Sequence, residues 1–283
     1  MSSSASLTLA TARSFLFVPG NRPERFEKAM RSGADAVVLD LEDAVGLSEK
    51  AAARDAVRQA WPRLQGLGVP LVLRMNAAGQ ALGAQDLRLL AQLDGLDGVM
   101  VPKAESAQQL AQVQAALPAV PVLPLIESAA GYGALAAIAA ARNVLRLVIG
   151  HIDFMADTGL QCSEGEPELA PLRFAVAMAT RANALAPAID GVTVAIHDDE
   201  QLRRDTRQAL RYGFGAKLCI HPRQIAIVHQ AMAPVAADVA WAQRVLEADA
   251  RSGGAAVQLD GRMVDLPVVL QARRLLARAA LGR

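Results

Sequence analysis

Aromatic residues are scarce. Phe, Tyr and Trp make up only 4% of the 283 residues, although 53% are hydrophobic. The core must therefore be aliphatic, built from Ala, Val and Leu, which favours helices packed on a buried parallel sheet. Cysteine is rarer still: Cys162 and Cys219 are the only two, and their spacing suits no metal site. A disulfide framework is excluded, and a reduced, cytoplasmic protein is expected. Excess charge of either sign is missing, since the formal net charge is +1. Nothing then points to a nucleic-acid partner held by bulk charge. No uninterrupted apolar run reaches membrane-spanning length, so no membrane partner is expected. The opening segment MSSSASLTLATAR lacks a basic leader and a long apolar stretch. It reads as a disordered tail over residues 1–12.

What is present is a repeated alternation. Short apolar runs cover Ser14–Val18, Ala36–Leu41, Pro70–Leu73, Gly98–Val101, Val122–Ile126, Leu145–Ile149, Ala188–Val194 and Ala216–Ile220. Helical segments separate them, among them Ser48–Ala60 with Ser48 as a cap, Ala134–Ala141 and Pro171–Leu185. Eight strands alternating with helices predict a (β/α)8 TIM barrel over residues 13–234. The alternative, an open doubly wound sheet, is disfavoured because no G-x-G-x-x-G follows the first strand. Residues 235–283 add a helix, a Gly-rich turn and a final helix from Pro267. They read as a C-terminal helical lid or oligomerisation segment.

In such barrels the site lies at the C-terminal ends of the strands. The polar residues there are Glu42, Asp43, Arg74, Asn76, Lys103, Glu105, Glu127, Asp153 and His221. Glu127 follows the fifth apolar run and Asp153 closely follows the sixth. Parallel strands joined by a crossover bring both ends to one side of the sheet. Two carboxylates converging there suit a hard divalent cation such as Mg2+. Their bland reading is as caps or solvated loop residues.

The stretches RSFLFVPGNRPERFEKAMRSGADAVVLDLEDAV, LVLRMNAAG, VMVPKAES, LIES, IGHIDFMADTG, AKLCIHPRQI and GRMVDLP resemble the citrate lyase beta-subunit-like family, among the malyl-CoA lyase and malate synthase-related barrels. The resemblance runs from about Arg13 to the last helix. It implies a Mg2+-dependent carbon–carbon lyase acting on a 3-hydroxyacyl thioester of CoA or of an acyl-carrier protein, yielding a 2-oxo acid. It implies a homotrimer or hexamer. Glu127 and Asp153 match the family's metal ligands, and Arg74 matches its substrate-binding arginine. Glu42 and Asp43 match its acidic pair, which usually acts through metal-bound waters. Asp265 matches the aspartate that enters from the lid and handles the carbon-bound proton. Lys103, Gly150 and His151 are expected to line the substrate pocket. One departure is His151-Ile152, where many relatives carry Ala-Glu. Three other readings remain: a citrate lyase beta subunit working on a carrier-protein thioester, a synthase or thioesterase, and a non-catalytic barrel.

Overall fold

The computed structural model describes residues 9–280. The chain forms two compact units that divide between Val228 and His229. The first holds eight strands: β1 (Ser14–Pro19), β2 (Ala36–Asp40), β3 (Leu71–Arg74), β4 (Gly98–Val101), β5 (Val122–Ile126), β6 (Val148–Ile149), β7 (Ile189–Asp190) and β8 (Ala216–Cys219). Each pairs with the next, and β8 pairs in parallel with β1 through Ser14 opposite Lys217, so the sheet closes into a barrel. Every residue of β2, β4, β5 and β8 is buried, as continuous apolar runs between helices require. Phe15, Val38, Val72, Met100, Leu123, Val148, Ile189 and Leu218 fill the interior.

The helices of this unit are α1 (Phe26–Met30), α2 (Lys50–Gln65), α3 (Ala81–Leu90), α4 (Ala107–Ala116), α5 (Ala129–Gly133), α6 (Leu135–Ala139), α7 (His151–Thr158), α8 (Ala170–Ala182) and α9 (Asp199–Arg211). The helix α10 (Arg223–Met232) spans the division between the units. Local chemistry explains where several begin. Ser106 caps α4 with a reciprocal capping box from Gln109, and Asp198 accepts from the Gln201 N–H at the start of α9. Ser48 does not cap α2. It lies in a 3-10 turn, Leu47–Glu49, that leads into the helix. The helix expected over residues 134–141 is the shorter α6, Leu135–Ala139, and Ala134, at φ −93° and ψ 4°, separates it from the preceding α5.

Two further expectations need correction. The sixth and seventh strands are shorter than their apolar runs. Leu145 and Leu147 still bond to Val122 and Ile189 through the backbone, but the ladder itself narrows to two residues in each strand. The tail expected over residues 1–12 also fails where it can be seen; residues 1–8 lie outside the described residues. Residues 9–11 form a helical turn, and Leu9 and Ala12 are buried within the barrel's core cluster. The reason is Arg146, itself fully buried. Its guanidinium donates to the carbonyls of Leu9 (2.9 Å), Ala12 (2.7 Å) and Pro187 (2.6 Å). Burial pulls its pKa down to about 9, against the charge of Asp35, which raises it.

The second unit contains α11 (Ala236–Ser252), a hairpin of β9 (Val257–Leu259) and β10 (Arg262–Val264), and α12 (Leu266–Ala280). Its own core is Ala242, Val245, Val264, Val269 and Ala272. The hairpin turns at Asp260-Gly261. Both have positive φ, 50° and 75°, as a two-residue I′ turn needs. The helical stretch 223–252 is long and apolar enough by composition to cross a membrane. Its helix lapses at residues 233–235, around Pro234.

Candidate active site

The site begins with a pair of cross-strand neighbours. Asp40 ends β2 and stands in register with Arg74, which ends β3. Asp40 is fully buried, so its charge must be compensated locally. Arg74 does this with two parallel bonds, Nε to Oδ1 at 2.7 Å and Nη2 to Oδ2 at 2.6 Å. The backbone N–H groups of Glu42 and Ala44 donate to the same carboxylate, at 2.9 and 3.1 Å. Arg74 also lies 4.8 Å from the centre of the Phe17 ring on β1. The guanidinium is thus fixed in plane and direction. The three nearby carboxylates outweigh its burial and raise its pKa.

Glu42 is held next to it. Lys50 donates to the carbonyls of Leu41 and Glu42, at 2.7 Å each, and pins the turn after β2. The Glu42 carboxylate then faces Arg74 Nη1 at 3.0 Å and Lys103 Nζ at 2.8 Å. Its pKa is raised, chiefly by burial, against the pull of those two cations. Asp43 is half exposed and stands 4.0 Å from Arg74.

Lys103 joins the acidic groups of two strands. It has φ of 47°, in the left-handed region, which aims its backbone N–H at Glu127 Oε1, 2.7 Å away. The other oxygen, Oε2, is buried and has no hydrogen-bond partner among the described residues. Gly150 keeps that oxygen in place, because a Cβ at this position would sit 2.4 Å from it. Burial, followed by the charge of Glu42, drives the Glu127 pKa up to about 8, and Asp153 adds to the shift. Asp153 lies in the first turn of α7. Glu127, Gly150, His151, Asp153, Asp43, Asp40 and Arg74 all line one cavity of about 220 Å³.

Asp40, Glu42, Asp43, Glu127 and Asp153 thus bring five carboxylates together, and among the described residues the side-chain cations paired with them are Arg74 and Lys103. The excess negative charge and the partnerless Glu127 Oε2 both fit a hard cation held by carboxylate oxygen. Among the described residues no group of three or more His, Cys, Asp or Glu forms a closed metal cage. Two carboxylates with solvent or substrate completing the shell suit Mg2+ rather than Zn2+.

Other rim residues serve local structure. Asn76 bonds the Leu41 carbonyl and Asp86, Glu105 accepts from Ser128, and the His221 ring accepts from the Arg223 N–H. Asp265 lies in the second unit, between β10 and α12. Its carboxylate accepts from the Val268 N–H at 3.4 Å, as a helix cap does. Asp40 escaped the sequence reading, which stopped at the polar residues past each strand. Its signal was a charged residue inside an otherwise apolar strand, one strand away from an arginine at the same height.

Comparison with known proteins places this chain in a family. The chain is 39% identical to a citrate lyase subunit beta-like protein of Deinococcus radiodurans, over 96% of this chain and 98% of that one. It is 32% identical to a (3S)-malyl-CoA thioesterase of Cereibacter sphaeroides, over 94% of each. A crystal structure of the Mycobacterium tuberculosis protein CitE with magnesium, acetoacetate and coenzyme A superposes with a TM-score of 0.83. It is 37% identical and covers 96% of this chain and 99% of that one. Residues 13–222 match the family described as HpcH/HpaI aldolase/citrate lyase, and the chain belongs to that family of carbon–carbon lyases.

Proposed function

We propose that this chain is a Mg2+-dependent lyase that cleaves, or in reverse forms, a C–C bond in a 3-hydroxyacyl-CoA thioester. The substrate is of the malyl-, citramalyl- or citryl-CoA type, and the products are a 2-oxo acid and an acyl-CoA. The buried, partnerless Glu127 oxygen on the same cavity wall as Asp153 carries this reading. The CitE structure with magnesium and coenzyme A supports it. Glu127 and Asp153 would hold the cation. Bound there, Mg2+ supplies Lewis-acid polarisation of the 2-oxo acid carbonyl.

The chain's own groups do the rest. Arg74 is locked by Asp40 before substrate arrives, so it offers fixed, permanently charged donors where negative charge gathers on oxygen. Glu42 and Asp43 orient solvent and set the local charge. In cleavage the 3-hydroxyl gives its proton to solvent oriented by Glu42 and Asp43, its oxygen becomes the carbonyl of the 2-oxo acid as the C–C bond breaks, and the pair from that bond forms the thioester enolate. Asp265, brought by the second unit of the same or a neighbouring subunit, gives a proton to the enolate carbon. In condensation it removes that proton. Lys103, Gly150 and His151 shape the pocket wall. A homotrimer or hexamer is the assembly we expect.

The test is a screen of malyl-, citramalyl-, methylmalyl- and citryl-CoA with Mg2+ and the purified chain. Turnover of at least one ester, abolished in Glu127→Ala and Asp153→Ala with the fold intact, is expected. Full activity of either variant in metal-limited buffer rejects the cation assignment. Turnover only after adding an acyl-carrier protein indicates the citrate lyase subunit instead. The malyl-CoA thioesterase relative favours a second outcome in the same screen: release of free CoA from a malyl thioester without C–C cleavage.

A further inference from the structure

A second group of charges lies beneath the rim on the β6–β8 side, and the reaction described above makes no use of it. Lys217 and Asp190 are register partners on β8 and β7, both almost fully buried. Lys217 Nζ lies 3.2 Å from Asp190 Oδ2 and donates to the Gly191 carbonyl at 2.9 Å. The other Asp190 oxygen faces Arg173 Nε of α8 at 3.2 Å. Arg173 Nη2 reaches Glu166 Oε2 at 2.7 Å. Glu166 Oε1 then stands 3.6 Å from His151 Nε2. Four alternating charges therefore run from the barrel interior to the first residue of α7.

The geometry at His151 gives the run a purpose. The ring is buried and wedged between two elements. On one side is Glu166; on the other is Gly191, where a Cβ would lie 2.1 Å from His151 Nδ1. Gly191 thus exists as glycine to admit the ring. Just before it in the chain, Gly150 abuts Glu127 Oε2. The head of α7 is accordingly clamped between Glu127 and this wedge, and Asp153 lies two residues further on in the same turn. Glu166 is a non-glycine residue at φ of 52°, a conformation its surroundings must hold. Arg173 and His151 are the side chains that meet its carboxylate.

We propose that His151 is a positioning residue. Braced by Glu166, Arg173, Asp190 and Lys217, it fixes the first turn of α7 and so holds Asp153 where, with Glu127, it binds the divalent cation. This rests on the cation reading given under Proposed function. Groups that orient metal ligands without touching the metal commonly change affinity 10- to 100-fold when removed.

The experiment measures Mn2+ binding to the cation-free full chain by electron paramagnetic resonance, with no turnover involved. His151→Ala is expected to weaken Mn2+ binding about 10- to 100-fold. Glu166→Ala, at the half-buried link between Arg173 and His151, is expected to weaken it in the same direction. The double variant should be no weaker than His151→Ala alone, because both act along one path. A brace that served stability alone would lower Tm and leave the Mn2+ affinity at the wild-type value, and that result overturns the proposal. Weakening in His151→Ala but not in Glu166→Ala also overturns it, since His151 would then act by direct contact. If His151→Ala does not fold, Glu166→Ala decides alone, and wild-type affinity there rejects the brace. Glu127→Ala is the reference. If it binds Mn2+ like wild type, the cation reading itself falls; if it loses binding while His151→Ala and Glu166→Ala keep it, only the brace falls.

Discussion

Cation binding at this site should release a proton, and the amount follows from Glu127. Without a cation its carboxyl is held at about 8, mainly by burial and then by the charge of Glu42. At pH 7 such a group is roughly nine-tenths protonated, and at pH 9 roughly one-tenth. A divalent cation needs the carboxylate, so binding must displace that proton. About 0.9 proton should be released per ion at pH 7 and about 0.1 at pH 9. Apparent affinity should rise about tenfold from pH 6 to 7 and level off above pH 8.

Stability of the cation-free protein moves the other way. A carboxyl whose pKa is higher in the folded state than its ordinary 4.5 binds its proton more tightly when folded. Its contribution is neutral below pH 4.5 and then becomes unfavourable by about 1.4 kcal/mol per pH unit. It levels off above pH 8, at roughly 5 kcal/mol for the interval from 4.5 to about 8. Titration calorimetry in two buffers of different ionisation enthalpy counts the protons directly. Glu127→Gln should abolish the release and remove this contribution to the pH dependence of folding, leaving only what other shifted groups such as Glu42 add. Zero release at pH 7, with an affinity flat from pH 6 to 8, would show that Glu127 is already ionised or is not a ligand.

Three further predictions concern single side chains. Arg74→Lys keeps the charge but loses one of the two bonds to Asp40, so turnover should fall about 100-fold or more in steady-state assays; near-normal kcat would make the pair a structural staple only. Asp265→Asn should keep its Tm, because Asn caps as well as Asp, yet lose most turnover. Mixed oligomers of inactive Asp265→Asn and Glu127→Ala chains should regain activity if the aspartate crosses subunits. Arg146→Ala orphans the carbonyls of Leu9, Ala12 and Pro187 and should cost about 2–4 kcal/mol in urea denaturation, with a change under 1 kcal/mol refuting its role at the barrel floor.

The barrel was legible because its strands are buried on both faces. An apolar run such as Val122–Ile126 needs no partner to be recognised, and closure follows from the count of eight. The rim residues were legible as polar breaks after such runs. Asp40, Asp190 and Lys217 were not, because each lies inside a strand, and a charge there is read only once its register partner is known. Leu9 and Ala12 were missed for a related reason. Their burial depends on Arg146, more than 130 residues away in the chain. The β9–β10 hairpin was not read from the sequence, although Asp260-Gly261 between alternating residues announces it.

The pairing of β1 with β8 has a consequence for synthesis on the ribosome. Residues 14–16 find their last partners only in residues 217–219. At about 5–20 residues per second, the first strand waits on the order of 10–40 s for its second neighbour to be made. Throughout that interval the nascent sheet has two open edges, β1 on one side and the newest strand on the other, each offering unpaired backbone to any passing chain. Arg146 emerges about two-thirds of the way through the residues needed for closure, and it can tie down Leu9 and Ala12 before β8 exists. The early strand is thereby anchored at its base while its edge is still exposed.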